Sequence, residues 1–439
     1  MNPYHADYND PAGLASAPFA GRKDAFARLY ARLLDPIHSG AILFMGRQHV
    51  GKTALLHNVA TAFQETAVGV YIPLRETNLD SEAHWLLALA QTVTTTLVDQ
   101  GYTVSRLSQL DPIGDQPRQW LEATFLPQVL GAVRRKLLLL LDDADCMLLA
   151  VRSGQLPADT FGYLLSLAQK FQNLYVALTL DSGYESDIDD LAPLVASTDV
   201  IRLSNLTADE TQWLLQMPVR GLYAVPDECA SAVQKLIGGA PGLAQHVGHE
   251  FFRRWEMSPE LNVFTLDDVK TLTPALYLYN ESDYRALWER LNANERIVLT
   301  AISDLVYNDP LGRLDASAIR GWLNETDFPL DLTAINATLR SLEYRDILLP
   351  TPGGIALGAA LLQSWLLDNA RLGRRVPASS EPPPPRTPGF VVTPRLLRTL
   401  LIIFVILVIA NIVAYAWVNS GSPGIAPNIE PTVTLATSP

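Results

Sequence analysis

Cysteine is scarce: Cys146 and Cys229 are the only two in a chain of 439 residues. That excludes a disulfide framework and a cysteine-built zinc site, and it fits a reducing compartment. Positive charge is in deficit, with 33 Lys and Arg against 46 Asp and Glu and a net charge of −13. The bulk field therefore repels nucleic acid. No repeat of 20–50 residues runs through the chain, which excludes a solenoid or propeller. Met1–Asn9 is polar and no apolar run follows it, so no secretory signal is expected. Only one long apolar run exists, which excludes a multi-span transporter. Hydrophobic residues at 48% and charged residues at 18% belong to an ordinary globular chain. At roughly 100–200 residues per domain, two or three folded units are expected.

The single apolar run is Thr399–Val418, twenty residues without a charge and with one strongly polar side chain, Asn411. A helix of that length spans about 30 Å, the thickness of a bilayer's hydrocarbon layer. Tyr415 and Trp417 stand where an interfacial aromatic belt is expected. A transmembrane helix is expected over 396–418. Arg371, Arg374, Arg375, Arg386, Arg395 and Arg398 precede the run, and residues 419–439 contain no Lys or Arg. The positive-inside rule then places the N-terminal domains in the cytoplasm and the C-terminus outside, in a single-pass inner or plasma membrane protein. Residues 373–395 read as an extended Pro/Arg-rich linker, and 419–439 as a disordered extracytoplasmic tail.

Before that anchor, short apolar strands alternate with helical patterns. The strands are Ala41–Met45, Val68–Pro73, Leu137–Leu141, Tyr175–Leu180 and Val200–Leu203; Thr53–Phe63, Ala83–Val98, Arg118–Arg134 and Thr160–Phe171 have helical spacing. Apolar strands without alternation, joined by helices, predict a five-stranded parallel sheet covered on both faces. After Leu203 the pattern turns helical, with Ala208–Leu215, Glu228–Ile237 and Gly242–Arg254, and a further unit begins near Asn280.

Gly46-Arg47-Gln48-His49-Val50-Gly51-Lys52-Thr53 matches G-x-x-x-x-G-K-[ST] in full, after a strand and opening a helix. Glycines at 46 and 51 let backbone N–H groups curl around phosphate oxygens, and the helix N-terminus adds partial positive charge. Lys52 is expected to neutralise the β/γ-phosphates and the Thr53 hydroxyl to ligate Mg²⁺. Nucleotide contact is expected from Gly46 through Thr53 and from Ala54, with His49 as a loop filler.

The apolar strand Leu137–Leu141 ends in two acids. Ligands bind at the carboxyl ends of parallel strands, so Asp142 is expected to complete the Mg²⁺ site and Asp143 to orient the attacking water. Asp145 is expected to be solvated. The spacing suits the P-loop class in which the acid strand is not adjacent to the phosphate-loop strand.

With these motifs in place, residues 19–372 resemble the STAND group of signal-transduction ATPases, relatives of AAA+ proteins. Phe19-Ala20-Gly21-Arg22-Lys23 is similar to the family's F-x-G-R-x-x-[ED] box, although the acidic slot falls on Ala25. The resemblance implies that this box, with Gly21 and Arg22, lies against the adenine ring. Gly238-Gly239-Ala240-Pro241-Gly242-Leu243 is similar to the family's G-x-P lid segment, which implies that Pro241 approaches the nucleotide. Where the family commonly has Thr-x-Arg on the fourth strand, Thr179-Leu180-Asp181 keeps the threonine, a sensor candidate, and loses the arginine. Asp181–Val200 contains no Arg or Lys where AAA+ motors carry an arginine finger. A ring motor is therefore disfavoured against a slow nucleotide switch.

Asn292–Leu372 reads as a winged helix, with helices at Glu295–Leu305, Asp315–Leu323 and Leu332–Leu342 and a wing over Ile347–Leu357. Between Leu291 and Ala370 there are five basic against ten acidic residues, a poor surface for DNA. The resemblance implies instead that it packs on the ATPase core and holds it closed.

The expected architecture is an α/β P-loop NTPase with a five-stranded parallel sheet, followed by a helical lid and a winged-helix domain, then one transmembrane helix. The expected boundaries are 1–18 for an N-terminal tail, 19–204 for the ATPase domain, 205–280 for the lid and 281–372 for the winged helix. The leading function is a membrane-tethered, ATP/ADP- and Mg²⁺-binding switch that hydrolyses slowly, with a homo-oligomer or a signalling protein as partner and nucleic acid disfavoured. The alternatives are a DNA-binding AAA+-like initiator or transposition ATPase, and a nucleotide-bound scaffold that does not hydrolyse.

Overall fold

A computed structural model describes residues 2–5, 13, 16–34, 41–104, 116–184 and 199–370, apart from 311, 326, 327, 329 and 353. The expected anchor at 396–418, its linker and its tail lie outside the described residues, as does residue 353 at the wing tip. Among the described residues, no helix is long and apolar enough to cross a membrane.

Helix α1 (Lys23–Leu34) precedes β1 (Ala41–Gly46), α2 (Lys52–Ala62) and β2 (Ala67–Pro73). Then come α3 (Glu82–Asp99), α4 (Pro117–Trp120), α5 (Leu126–Val133) and β3 (Lys136–Asp142), followed by α6 (Ala144–Arg152), α7 (Thr160–Lys170), β4 (Leu174–Asp181) and β5 (Asp199–Leu203). The strands form one parallel sheet in the order β2-β3-β4-β1-β5, so the acid strand β3 is separated from the phosphate-loop strand β1 by β4. Every residue of β1 and β4 is buried, as strands covered on both faces require. One face packs under α3, α5, α6 and α7, the other under α1 and α2. The register aligns the chemistry: Gly46 lies beside Asp181, and Leu141 beside Leu178, which brings Asp142 level with Thr179.

The helix expected over Arg118–Arg134 is interrupted by a π-helical turn at Leu121–Phe125. Pro127 has no N–H to donate, and its ring displaces the carbonyl four residues back, so the ladder widens just ahead of it.

Beyond β5 lie α8 (Ala208–Gln216), α9 (Asp227–Ile237), α10 (Pro241–Met257) and α11 (Leu266–Arg290). The expected boundary at 280/281 falls inside α11. This helix starts from a Thr265–Asp268 capping box and buries Val269, Leu272, Leu276, Asn280 and Tyr284 along one stripe. That stripe sustains it through Pro274. Three more helices and an antiparallel hairpin follow: α12 (Ala293–Asn308), α13 (Ala316–Asn324), α14 (Leu332–Tyr344), β6 (Leu348–Thr351) and β7 (Gly354–Leu357). Helix α15 (Ala360–Asn369) ends the described chain.

A single apolar cluster runs from Leu206 to Ala370 through all of these elements. The lid and the hairpin-bearing unit therefore share one core and form one body, joined to the sheet by the Ser204–Thr207 segment. Residues 2–5 belong to that body rather than to a free tail: Tyr4 is 3% exposed and its hydroxyl donates to the carbonyls of Leu214 and Leu215. At Gly239 the chain is left-handed (φ +72°), and a Cβ there would stand 2.1 Å from the Leu206 carbonyl oxygen. The Leu206 N–H donates to the Gly239 carbonyl at 2.8 Å, which closes the lid segment onto the exit of β5.

Candidate nucleotide site

The phosphate loop leaves the buried end of β1 and enters α2 through Gly51, whose φ of +91° is the left-handed conformation that glycine adopts without strain. The Lys52 Nζ donates to the carbonyls of Gly46 (3.0 Å) and Arg47 (2.9 Å), folding the ammonium back across the loop. The Thr53 hydroxyl donates to the Asp142 Oδ2 at 2.7 Å. Two residues 89 positions apart thus present hard oxygen donors side by side, a set that suits Mg²⁺.

Asp142 is 2% exposed and accepts two further bonds. The Tyr71 hydroxyl donates to its Oδ2 at 2.9 Å, and the Thr179 hydroxyl donates to its Oδ1. Burial first, then the Asp142 charge, pushes the Tyr71 phenol well above its ordinary range, so it remains a donor. Thr179 also accepts the Asp143 N–H at 2.9 Å. One fully buried threonine on β4 therefore fixes both acids. Asp143 itself is left-handed (φ +57°), and its Oδ2 accepts from the Arg75 Nε at 3.0 Å. Asp145 departs from the solvated role expected for it. Its Oδ1 is buried with no partner among the described residues, and burial, then repulsion from Asp143, raises its carboxyl.

A cleft of about 360 Å³ opens over these groups. Its phosphate end is lined by Gln48, His49, Val50, Gly51, Lys52 and Thr53, with Ala54, Asp142 and Asp143 adjoining. Its apolar end is lined by Phe19, Ala20, Leu206, Leu214 and Pro241. That volume and lining suit a ligand with a flat apolar group and a charged tail.

Four of the expected contacts do not line the cleft, the fully buried Thr179 among them. Gly46 stays beneath the loop, against Val50 and Leu203. Gly21 is packed on the Glu210 carboxylate, not in the cleft. Arg47 lines a neighbouring cavity. Arg22 does border the cleft, as a strut whose guanidinium donates to the Ser204 carbonyl at 2.6 Å and the Val50 carbonyl at 2.7 Å. Burial lowers its pKa, with Glu210 and Asp346 opposing.

Other contacts were invisible in the sequence. His49 is not a filler, because its Nδ1 lies 2.7 Å from the Asp283 Oδ2 on α11. Asp181, which stands where an arginine is common, holds Arg290 at 3.0 Å from the end of the same helix. The pairings span 234 and 109 residues, beyond the reach of any local pattern. Tyr71 and Arg75 were likewise missed. Tyr71 lies two residues before the end of the second strand and Arg75 two residues beyond it, and that position at the sheet's carboxyl edge is the available signal.

No family model matches the chain, and no curated protein matches it. Among solved structures, the chain is similar to the Walker-type ATPase PABY2304 of Pyrococcus abyssi, at 16% identity and a TM-score of 0.56 over 80% of this chain and 96% of that one. It is also similar to the Aeropyrum pernix ORC2 protein, solved in ADPNP–ADP complexes, at 18% identity and a TM-score of 0.53 over 82% of this chain and 96% of that one. At these identities the likeness is one of fold. The chain shares the fold of these two proteins, and neither likeness singles out the STAND group.

Proposed function

We propose that this protein is a Mg²⁺- and ATP-binding switch that hydrolyses ATP slowly. The observation that carries the reading is the joined Thr53–Asp142–Thr179–Asp143 set beneath a complete phosphate loop. Lys52 and the loop amides would hold the phosphates, and Thr53 and Asp142 would hold Mg²⁺, which supplies charge neutralisation when bound. Asp143 would orient water and accept its proton, with Thr179 fixing the backbone from which it projects. Arg75 restrains that carboxylate. Phe19, Ala20 and Pro241 would enclose the base.

Nucleotide state would be read through the body that spans 206–370. Its α11 helix grips the phosphate loop at His49 and the end of β4 at Asp181. A ligand that reshapes the loop more in one nucleotide state than in the other gives the differential affinity that a switch requires. The test is ATP titration and phosphate release with wild type, Lys52→Ala and Asp143→Asn. Lys52→Ala should lose tight ATP binding, and Asp143→Asn should bind but not hydrolyse. Unchanged affinity in Lys52→Ala would count decisively against the site, and unchanged release in Asp143→Asn would favour the non-hydrolysing scaffold.

The likeness to the ORC2 protein supports a second reading, an initiator-type ATPase, more than it supports a STAND signalling switch. The three helices and hairpin of 293–357 would then serve as a winged helix on DNA. Charge opposes it. Arg296 is committed to the Trp288 and Glu289 carbonyls and Arg313 to Asp315, and Arg345 is largely buried beside Glu295, which leaves Arg320 and Arg340 for the phosphates of DNA. Salt-dependent duplex binding that Arg320→Ala/Arg340→Ala abolishes would establish this reading. The membrane tether is proposed from the 396–418 sequence, and fractionation of the full chain tests it.

A further inference from the structure

Beside the nucleotide cleft, and sharing Gln48, His49 and Val50 with it, lies a second cavity of about 100 Å³. It is closed by the end of β4, the lid segment before α10, and the α11 and β6 side of the C-terminal body. Lys52, Thr53, Asp142 and Asp143 do not line it. The cavity therefore lies apart from Lys52 and the expected metal ligands, although Pro241 and Gly242 also line both cavities.

Its lining holds three arginines and three aspartates, and not all of them are paired directly. Arg290 and Asp181 satisfy each other at 3.0 Å, as do His49 and Asp283 at 2.7 Å. What remains is Asp346 against two guanidinium groups. Asp346 accepts the Asn205 N–H at 3.3 Å, and burial raises its carboxyl toward the neutral form. Arg47 makes no side-chain hydrogen bond or ion pair among the described residues, and burial pushes its pKa down, with Tyr284, Asp346 and Asp181 opposing and the Arg345 charge adding to the fall. Arg345 reaches Glu295 through Nη1, at 3.6 Å, while its Nη2 is buried with no partner among the described residues. Two like charges that repel each other, one with a buried unpaired donor, are an expensive arrangement in a protein interior. Guanidinium forks match the oxygens of a phosphate, and a bound oxyanion would satisfy both.

We propose that this cavity is a second anion site, in which a phosphate-type oxyanion is held between the guanidinium groups of Arg47 and Arg345. The oxyanion comes either from solution or from ATP cleaved in the adjoining cleft; the recognition chemistry is the same. Because the loop residues 48–50 wall both cavities, occupancy of this site bears directly on the phosphate loop.

The experiment is calorimetric titration of inorganic phosphate into the full-length protein saturated with Mg²⁺ and ADP. Wild type should take up one phosphate, and Arg47→Gln and Arg345→Gln should each weaken it about tenfold or more. Melting in phosphate-free buffer shows whether each variant is folded, and either folded variant suffices. Lys52→Ala, titrated without nucleotide, should keep the phosphate, which separates this site from the phosphate loop and makes this arm independent of the ATPase reading. Absence of uptake by wild type, equal uptake by both arginine variants, or its loss in Lys52→Ala would overturn the proposal. In a single turnover of ATP labelled on the γ-phosphate, label retained by wild type and shed by Arg345→Gln assigns the site to the reaction product. Uptake from solution without such retention assigns it to a free anion, and both outcomes uphold the site.

Discussion

The imidazole Nδ1 of His49, in the phosphate loop, meets the carboxylate of Asp283, in the middle of α11, at 2.7 Å. The contact joins the most ligand-sensitive stretch of the sheet domain to the body that carries the lid. His49 reaches it from a left-handed backbone (φ +58°), so the loop is held in a conformation that non-glycine residues seldom adopt.

His49→Ala should loosen this grip. A partly exposed hydrogen bond of this kind contributes about 1 kcal/mol, equivalent to roughly a fivefold shift between closed and open arrangements. Stopped-flow release of a fluorescent ADP analogue should speed up by that factor. Asp283→Asn keeps an acceptor for the imidazole and should show a smaller change. Identical release rates in all three proteins would remove this contact from the switch.

Thr179→Val should separate binding from hydrolysis. The substitution is nearly isosteric but leaves the Asp143 N–H unpaired and removes a donor from Asp142. A stability loss of about 1–3 kcal/mol is expected in chemical denaturation. ATP affinity should change little while phosphate release falls by about tenfold or more. A matched fall in affinity and turnover would mean that Thr179 acts on the nucleotide directly.

Gly239→Ala should be strongly destabilising although the change is one methyl group. The left-handed backbone disfavours alanine, and the new Cβ would meet the Leu206 carbonyl oxygen at 2.1 Å. About 2–4 kcal/mol is expected, read as a lower urea midpoint at unchanged slope. A wild-type midpoint would show that the lid segment can shift away from β5 freely.

Cys229 gives the alkaline limb of stability. Burial pushes its thiol up to about 11, with Asp268 and Glu228 adding to the rise. The unfolded thiol ionises near its ordinary value of about 8.5, so the unfolded chain gains stability first. The contribution of Cys229 is therefore complete below that pH and is lost as pH rises toward 11. Cys229→Ala should flatten the fall in urea midpoint across that window. Iodoacetamide at pH 8 should label Cys229 only after unfolding, and rapid labelling of the native protein would contradict its burial.

Much of the sheet domain was legible because its signals are local. Five apolar runs of strand length marked the strands, and the glycines and Lys52-Thr53 marked a loop whose chemistry lies within eight residues. The C-terminal half was harder. Helix α11 carries Pro274 and many exposed polar residues, so its continuity depends on the buried stripe from Val269 to Tyr284, which only packing reveals. Arg47 shows the same limit inside the motif itself. Its position is fixed by sequence, but the side of the loop its side chain takes is set by the body that packs there.

The phosphate loop, the acid strand and the parallel sheet that sets one against the other are legible in the amino-acid order, because spacing and apolar pattern act within a few residues. Packing alone has Thr179 tie Asp142 to Asp143, gives His49 and Asp181 their partners on α11, and brings Arg47 and Arg345 to the lining of one cavity. Those relationships join side chains tens to hundreds of positions apart. Their geometry comes from the burial of one shared core, and no local periodicity encodes it.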